Sequence, residues 1–167
     1  MFVTAVALRP IRPQDKPALV SFHARLSEDT RYRRYHSAKG DLTSRDLRYL
    51  TEVDGHHHVA LVAHPEGRPD HLLGVARAVA DPGRPDEAEV AIVVADDVHG
   101  QGVGAELIEG VIDRAAREGA GRIVAMVQGD NHRAMRLFQG FGFHQRAWDG
   151  GIRELVRELG PELRGRA

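Results

Sequence analysis

Val90-Ala91-Ile92-Val93-Val94-Ala95-Asp96-Asp97-Val98-His99-Gly100-Gln101-Gly102-Val103-Gly104-Ala105 is the stretch on which the fold turns. It opens on an apolar, β-branched run, which reads as a strand. The run is apolar on both faces, so a central strand covered from both sides is expected. Beyond Ala105, the residues Leu107, Ile108, Val111, Ile112 and Ala115 recur at helical spacing, and Gly119 and Gly121 close the helix. Between strand and helix lie Gly100, Gly102 and Gly104. Glycines there let the backbone take positive φ and approach a ligand closely. The first N–H groups of a helix lack internal partners, and the helix dipole adds partial positive charge to them. Residues 99–105 are therefore expected to bind a phosphate or pyrophosphate. A plain strand-to-helix turn would need fewer than three alternating glycines.

Working outward, the period identifies the remaining elements. Residues 3–8 read as a short opening strand ended by Pro10 and Pro13. Residues 14–27 carry Ala18, Leu19, Phe22 and Leu26 on one helical face, and 28–36 continue as a second helical stretch. Thr43 or Ser44 caps a short helix that runs to Leu50. Residues 59–63, 72–80 and 88–95 read as strands parted by Gly/Pro turns at 66–69 and 81–85. Strands at 122–127, 143–148 and 152–156 and a helix at 131–141 follow. The expected architecture is α+β: a mixed, mostly antiparallel sheet flanked by helices. It forms one domain over residues 1–160, with a flexible tail at 161–167.

Composition narrows the function. The chain has 167 residues, 42% hydrophobic and 28% charged. Lys plus Arg is 23 against 24 for Asp plus Glu, a balance unlike that of a nucleic-acid binder. No cysteine is present, which excludes disulfides, thiolate metal sites and a cysteine nucleophile. Residues 1–10 lack a basic region followed by an apolar run, and no stretch approaches the roughly 20 apolar residues of a membrane span. A cytoplasmic location is expected, with no membrane partner.

Gly100-x-Gly102-x-x-Ala105 also satisfies a dinucleotide-binding fingerprint, but that pattern belongs to a βαβ unit of a parallel sheet. The strands before it read as a meander. No Gly-Lys-Ser or Gly-Lys-Thr supports a nucleotide P-loop.

Two motifs in order then narrow the ligand. His99-Gly100-Gln101-Gly102-Val103-Gly104 resembles the Gln/Arg-x-x-Gly-x-Gly/Ala loop of the GNAT N-acetyltransferases. Asn131-His132-Arg133-Ala134, followed by Phe141-Gly142-Phe143, is similar to that family's second motif. The resemblance implies acetyl-CoA as cosubstrate. It places Ile92, Val93 and Val94 beside the thioester and residues His99, Gly100, Gln101, Gly102, Val103, Gly104 and Ala105 around the pyrophosphate. Asn131 is placed at the cofactor arm, and Phe138 is expected to pack against the cofactor or the core. His99 departs from the usual Gln or Arg, which shifts the expected contacts to backbone amides. Phe138 stands where many relatives have a tyrosine acid, and phenylalanine donates no proton. Asn131 also suits a plain helix cap.

The segment Leu26-Ser27-Glu28-Asp29-Thr30-Arg31-Tyr32-Arg33-Arg34-Tyr35, with Ala88-Glu89-Val90-Ala91-Ile92-Val93-Val94, resembles bacterial lysine acetyltransferases that modify acyl-CoA synthetases. That resemblance implies a protein lysine as acceptor and Glu89 as general base, with an N–H near Val93 or Val94 for the oxyanion. Glu87, two residues away on the same face, is a second candidate base. The alternatives are a small-amine acetyltransferase and a silent acyl-CoA-binding or sensing module.

Three further features carry less. Arg133 and Arg136 suit a 3′-phosphate or simply an exposed helix face. Adjacent His56, His57 and His58 point alternately if extended, which disfavours a shared metal ion, and no metal is expected. Tyr32 and Tyr35, three apart, are expected to share one side of their helix.

Overall fold

The computed structural model describes residues 5–164. Seven strands form one sheet in the order β1-β2-β3-β4-β5-β7-β6. Strands β1 (Val6–Pro10), β2 (His58–Pro65), β3 (Gly74–Asp81) and β4 (Arg84–Val94) make an antiparallel meander. Strand β5 (Arg122–Gln128) runs parallel to β4, and β6 (His144–Trp148) and β7 (Ile152–Glu158) form the closing hairpin. The mixed, mostly antiparallel sheet is thus the one expected.

Helices α1 (Lys16–Arg25), α2 (Glu28–Tyr35) and α3 (Ser44–Thr51) join β1 to β2. Helix α4 (Val103–Arg117) joins β4 to β5, and α5 (His132–Gly140) joins β5 to β6. The helix starts are written in the sequence. Ser27 Oγ accepts the Thr30 N–H, Thr43 and Asp46 form a reciprocal capping box, and Asn131 Oδ1 accepts the Ala134 N–H at 3.2 Å. On α4, Leu107, Ile108 and Val111 are fully buried against the sheet. α4 comes so close to β2 that a Cβ at Gly110 would lie 2.9 Å from Leu61 Cδ1. No described helix is long and apolar enough to cross a membrane.

The feature that positions the site is a parting of strands. β4 and β5 pair only from Glu87↔Arg122 to Val90↔Ala125. Beyond Val90, β4 still pairs with β3 up to Gly74↔Val94, while β5 turns to β7 up to Gln128↔Ile152. A gap therefore opens in the middle of the sheet. This corrects the expectation of a doubly covered strand: Val90 is buried, but Ala91, Ile92, Val93 and Val94 are only half-buried because one edge has no neighbour.

Other boundaries move for local reasons. The opening strand runs through Pro10, which sits on an outer strand where its missing N–H costs no ladder bond. Its expected start at residue 3 lies outside the described residues. The expected helix at 14–27 is a 3₁₀ turn at Pro13–Asp15 followed by α1. β4 begins at Arg84 through a bulge that accommodates Pro85. The expected tail is in part ordered. Pro161–Arg164 forms a short helix, α6, with Leu163 packed on the core, while 165–167 lie outside the described residues.

Candidate active site

Two cavities flank the gap. The first, of about 560 Å³, lies between the end of β4, the glycine turn, α5 and α2. Ile92, Val93, Val94, His99, Gly100, Gly102, Gly104, Ala105 and Asn131 all line it, so the structure brings together most of the residues singled out in the sequence. Gly100 (φ 78°) and Gly102 (φ 86°) hold the left-handed conformations that the turn needs. Gly104 serves differently: it has helical backbone, and a methyl there would press on Leu137 at 3.4 Å. His99 ties the loop to the strand. Its Nε2 lies 2.9 Å from the Val94 carbonyl oxygen, and its Nδ1 meets the Arg133 guanidinium. Those contacts assign the proton to Nε2.

Three of the expected residues keep their side chains out of the cavity. Val103 is 1% exposed in the core, and the Gln101 side-chain amide turns back to the Asp97 carbonyl at 3.4 Å, so what either offers a ligand is its backbone. Phe138 is 3% exposed and meets Phe143 edge-on at 5.0 Å, so it belongs to the core. One residue of helical rotation gives Leu137 the cavity face instead. Asn131 both caps α5 and lines the cavity. Arg133 and Arg136 line it too.

Backbone direction follows from alternation. The Ala80 N–H bonds back to β2, so Val75, Arg77 and Val79 face β4 and are paired with Val93, Ala91 and Glu89. The N–H groups of Ile92 and Val94 then point into the gap, and that of Val93 is spent on β3. Of the two oxyanion donors anticipated near Val93 or Val94, only Val94 has the right direction.

Helix α2 roofs this cavity and is fastened on both sides. Asp96, just past β4, accepts the hydroxyls of Ser27 (2.8 Å) and Thr30 (2.7 Å) and the Ser27 N–H (3.0 Å). Across the opening, Arg33 bonds Asp29 at 2.8 Å and Asp130, in the β5–α5 loop, at 3.0 Å.

The second cavity, of about 750 Å³, lies on the α2–α3 side and is lined by Glu89, Ala91, Arg77, Tyr35, Tyr49 and Met126, among others. Glu89 is exposed there and makes no hydrogen bond or ion pair among the described residues. Glu87 shares its face, as expected, but is 6% exposed and locked. Arg146 lies 3.0 Å away, Arg84 3.1 Å and Arg122 3.6 Å. The Arg146 hydrogen bonds hold its carboxyl below the usual range. A carboxylate so occupied is a poor proton acceptor, whereas the Glu89 carboxylate has no such partner among the described residues.

Deeper in, Arg77 is 5% exposed and has only neutral partners: the Leu50 carbonyl at 3.3 Å and His58 Nε2 at 2.8 Å. Burial pulls its pKa down to about 10, with Arg34 adding to the effect. Burial, then Arg77, holds His58 at about 4, so its ring is neutral at pH 7. The three adjacent histidines are thereby separated: His56 bonds Glu118, His57 bonds Asp54 and His58 turns inward. Tyr32 and Tyr35 also separate, one exposed, the other in the cavity.

Sequence reasoning missed Arg34. It is half-buried and, among the described residues, alone in lining both cavities. The signal was available: two-turn helix α2 has no aliphatic residue to bury, so one of its arginines must turn inward.

With this geometry in place, the likeness to known proteins is specific. The model of the acetyltransferase (GNAT) family matches residues 20–143. The chain belongs to that family, the class of N-acetyltransferases that draw their acyl group from acyl-CoA. It is similar to acetyltransferase Pat of Mycolicibacterium smegmatis, 33% identical over 135 residues, which span 81% of this chain and 40% of that protein. The chain thus matches less than half the length of that relative. The GNAT domain of S. lividans PAT superposes with a TM-score of 0.86 at 29% identity, covering 92% of this chain and 90% of that one. The fold is also shared with yncA of Salmonella typhimurium, determined with its cofactor acetyl-CoA: TM-score 0.74, 20% identity, 94% of this chain and 95% of that one.

Proposed function

We propose that this chain transfers an acetyl group from acetyl-CoA to a protein lysine, with Glu89 as general base. The observation that carries the reading is the setting of Glu89. It is the unpaired carboxylate among the described residues of the cavity beside the parted strands, two residues before Ala91 and three before Ile92, where that cavity gives way to the one beside the glycine turn. Acetyl-CoA would lie with its pyrophosphate at Gly100, Gly102 and Gly104, its arm along Ile92, Val94 and Asn131, and its thioester at the gap. Those residues suit it: unspent N–H groups at a helix start for phosphate, and an open strand edge for the arm.

The acceptor must arrive neutral. A lysine of pKa about 10.4 costs roughly 4.6 kcal/mol to deprotonate at pH 7. Glu89 takes that proton directly or through one water. The Val94 N–H points into the gap, where it can meet the developing oxyanion. Similarity to Pat and PAT proteins favours a protein acceptor, with acyl-CoA synthetases as first candidates, over a small amine. A cytoplasmic setting suits that role.

Glu89→Gln is expected to keep acetyl-CoA affinity, by calorimetry, and to lower transfer about 100-fold or more, by thiol release. Unchanged turnover removes Glu89 from the mechanism. Incubation of the chain with labelled acetyl-CoA and lysate, followed by mass spectrometry, tests the acceptor: label on protein lysines supports the proposal, and label only in small molecules overturns it.

A further inference from the structure

Acyl transfer needs something to receive the charge on sulfur, and the position where relatives keep a tyrosine acid is here Phe138, inside the core. No tyrosine, cysteine or lysine lines the cavity at the glycine turn among the described residues. Tyr35 and Tyr49 line only the other one. Arg34 stands where the two cavities meet. We propose that Arg34 is a catalytic residue that carries the charge of the departing CoA thiolate, replacing proton donation with an ion pair.

Its surroundings leave that charge available. Arg34 has no hydrogen bond or ion pair among the described residues, and its guanidinium carbon lies 5.0 Å from the Tyr35 ring centre. On β4, Glu89 acts on it only through space, and on β3 it faces the buried cation Arg77. His23 of α1 and Tyr49 of α3 close the far side; burial pushes the His23 pKa down, so that ring adds no charge at pH 7. The other charges along the cleft are committed elsewhere. Arg33 is bonded to both Asp29 and Asp130. His99 and Arg133 meet each other beside the glycine turn. His132 and Arg136 are exposed on α5. Two guanidiniums against the single carboxylate of Glu89 leave this corner net positive, the sign that favours an anion on sulfur. Burial depresses the Arg34 pKa, but a guanidinium keeps its proton near neutrality, so it stabilises the thiolate without protonating it.

The step balances without a general acid. The amine, its ammonium proton already passed through Glu89 to solvent, bonds through nitrogen to the acyl carbon; its second proton then goes to the freed Glu89 carboxylate, and the carbon–sulfur bond breaks with its electron pair on sulfur. The thiolate leaves paired with Arg34 and takes a proton from solvent on release. A thiol of pKa about 8.5 is a good enough leaving group for this to suffice once a cation lowers that value further.

The proposal rests on the acyl-CoA reading only in requiring that CoA bind. CoA itself is therefore the probe, and no acceptor is needed. The thiolate absorbance of bound CoA is titrated against pH, with desulfo-CoA as blank, for wild type, Arg34→Lys and Arg34→Gln. In wild type the bound thiol is expected to titrate about one unit or more below free CoA. Arg34→Lys should keep most of that shift, and Arg34→Gln should lose it while still binding CoA. A bound thiol no more acidic than free CoA, or an equal shift in Arg34→Gln, overturns the proposal. If Arg34→Gln does not fold, the wild-type titration and Arg34→Met decide it by the same criterion. Failure of wild type to bind CoA in calorimetry would instead overturn the acyl-CoA reading.

Discussion

At the scale of single residues, position 138 separates this chain from its family pattern most sharply. Its ring is spent on packing against Phe143, so restoring the family residue should not restore the family chemistry. Phe138→Tyr would bury a hydroxyl in the core beside Phe143, and a buried hydroxyl left without a partner costs about 1–3 kcal/mol. The expected outcome is a lower melting temperature with no gain in turnover; a faster enzyme would show that the phenol reaches the reaction. Glu89 and Glu87 teach a related lesson. Strand alternation places both carboxylates on one face, and only the resemblance ranks Glu89 first. What separates them is the set of arginines around Glu87, and two of these come from residues 35 and 59 positions away. Such long-range pairing leaves no trace in local spacing. Arg34 was hidden for the opposite reason: it lies within a dense basic run that reads as an ordinary solvated face.

At the scale of elements, the strand–turn–helix from Val90 to Ala116 was legible because each part carries its own signal: β-branching, glycines, then helical period. The caps at Thr43 and Asn131 were equally local. The point where β4 leaves β5 was not, because it depends on where a separate strand bends away. Helix α2 shows how elements cooperate across that opening. Its Arg33–Asp130 pair joins the roof to the far wall, with the Asp130 side chain 75% exposed. An exposed pair contributes at most about 1 kcal/mol. Arg33→Gln is therefore expected to raise the CoA dissociation rate up to about 5-fold in stopped-flow measurements, with little change in melting temperature. High salt should bring the wild-type rate toward that of the variant. An unchanged rate would mean that CoA leaves without parting this contact.

At the scale of the whole molecule, acid stability is tied to Glu87. Its carboxyl is held low chiefly by hydrogen bonds from Arg146, so its contribution is present above the unfolded value of about 4.3 and is lost as pH falls through the lower folded value. Glu87→Gln should lower the melting temperature by several degrees at pH 7, since it leaves three arginines without their shared partner. In thermal melts against pH, the difference should narrow as pH falls below the unfolded value of about 4.3 and toward the lower folded one. A difference independent of pH would assign the loss to packing instead.

The same scale gives the parted strands a second meaning. With only four residue pairs between β4 and β5, the sheet is two leaves, four strands and three, stitched along a short spine. A guest seated in the gap lends the missing stitches, so part of its grip is returned as stiffness of the fold. When it departs, the leaves regain their play. Release of product and loosening of the molecule are then one event, and the empty form is the more pliant of the two.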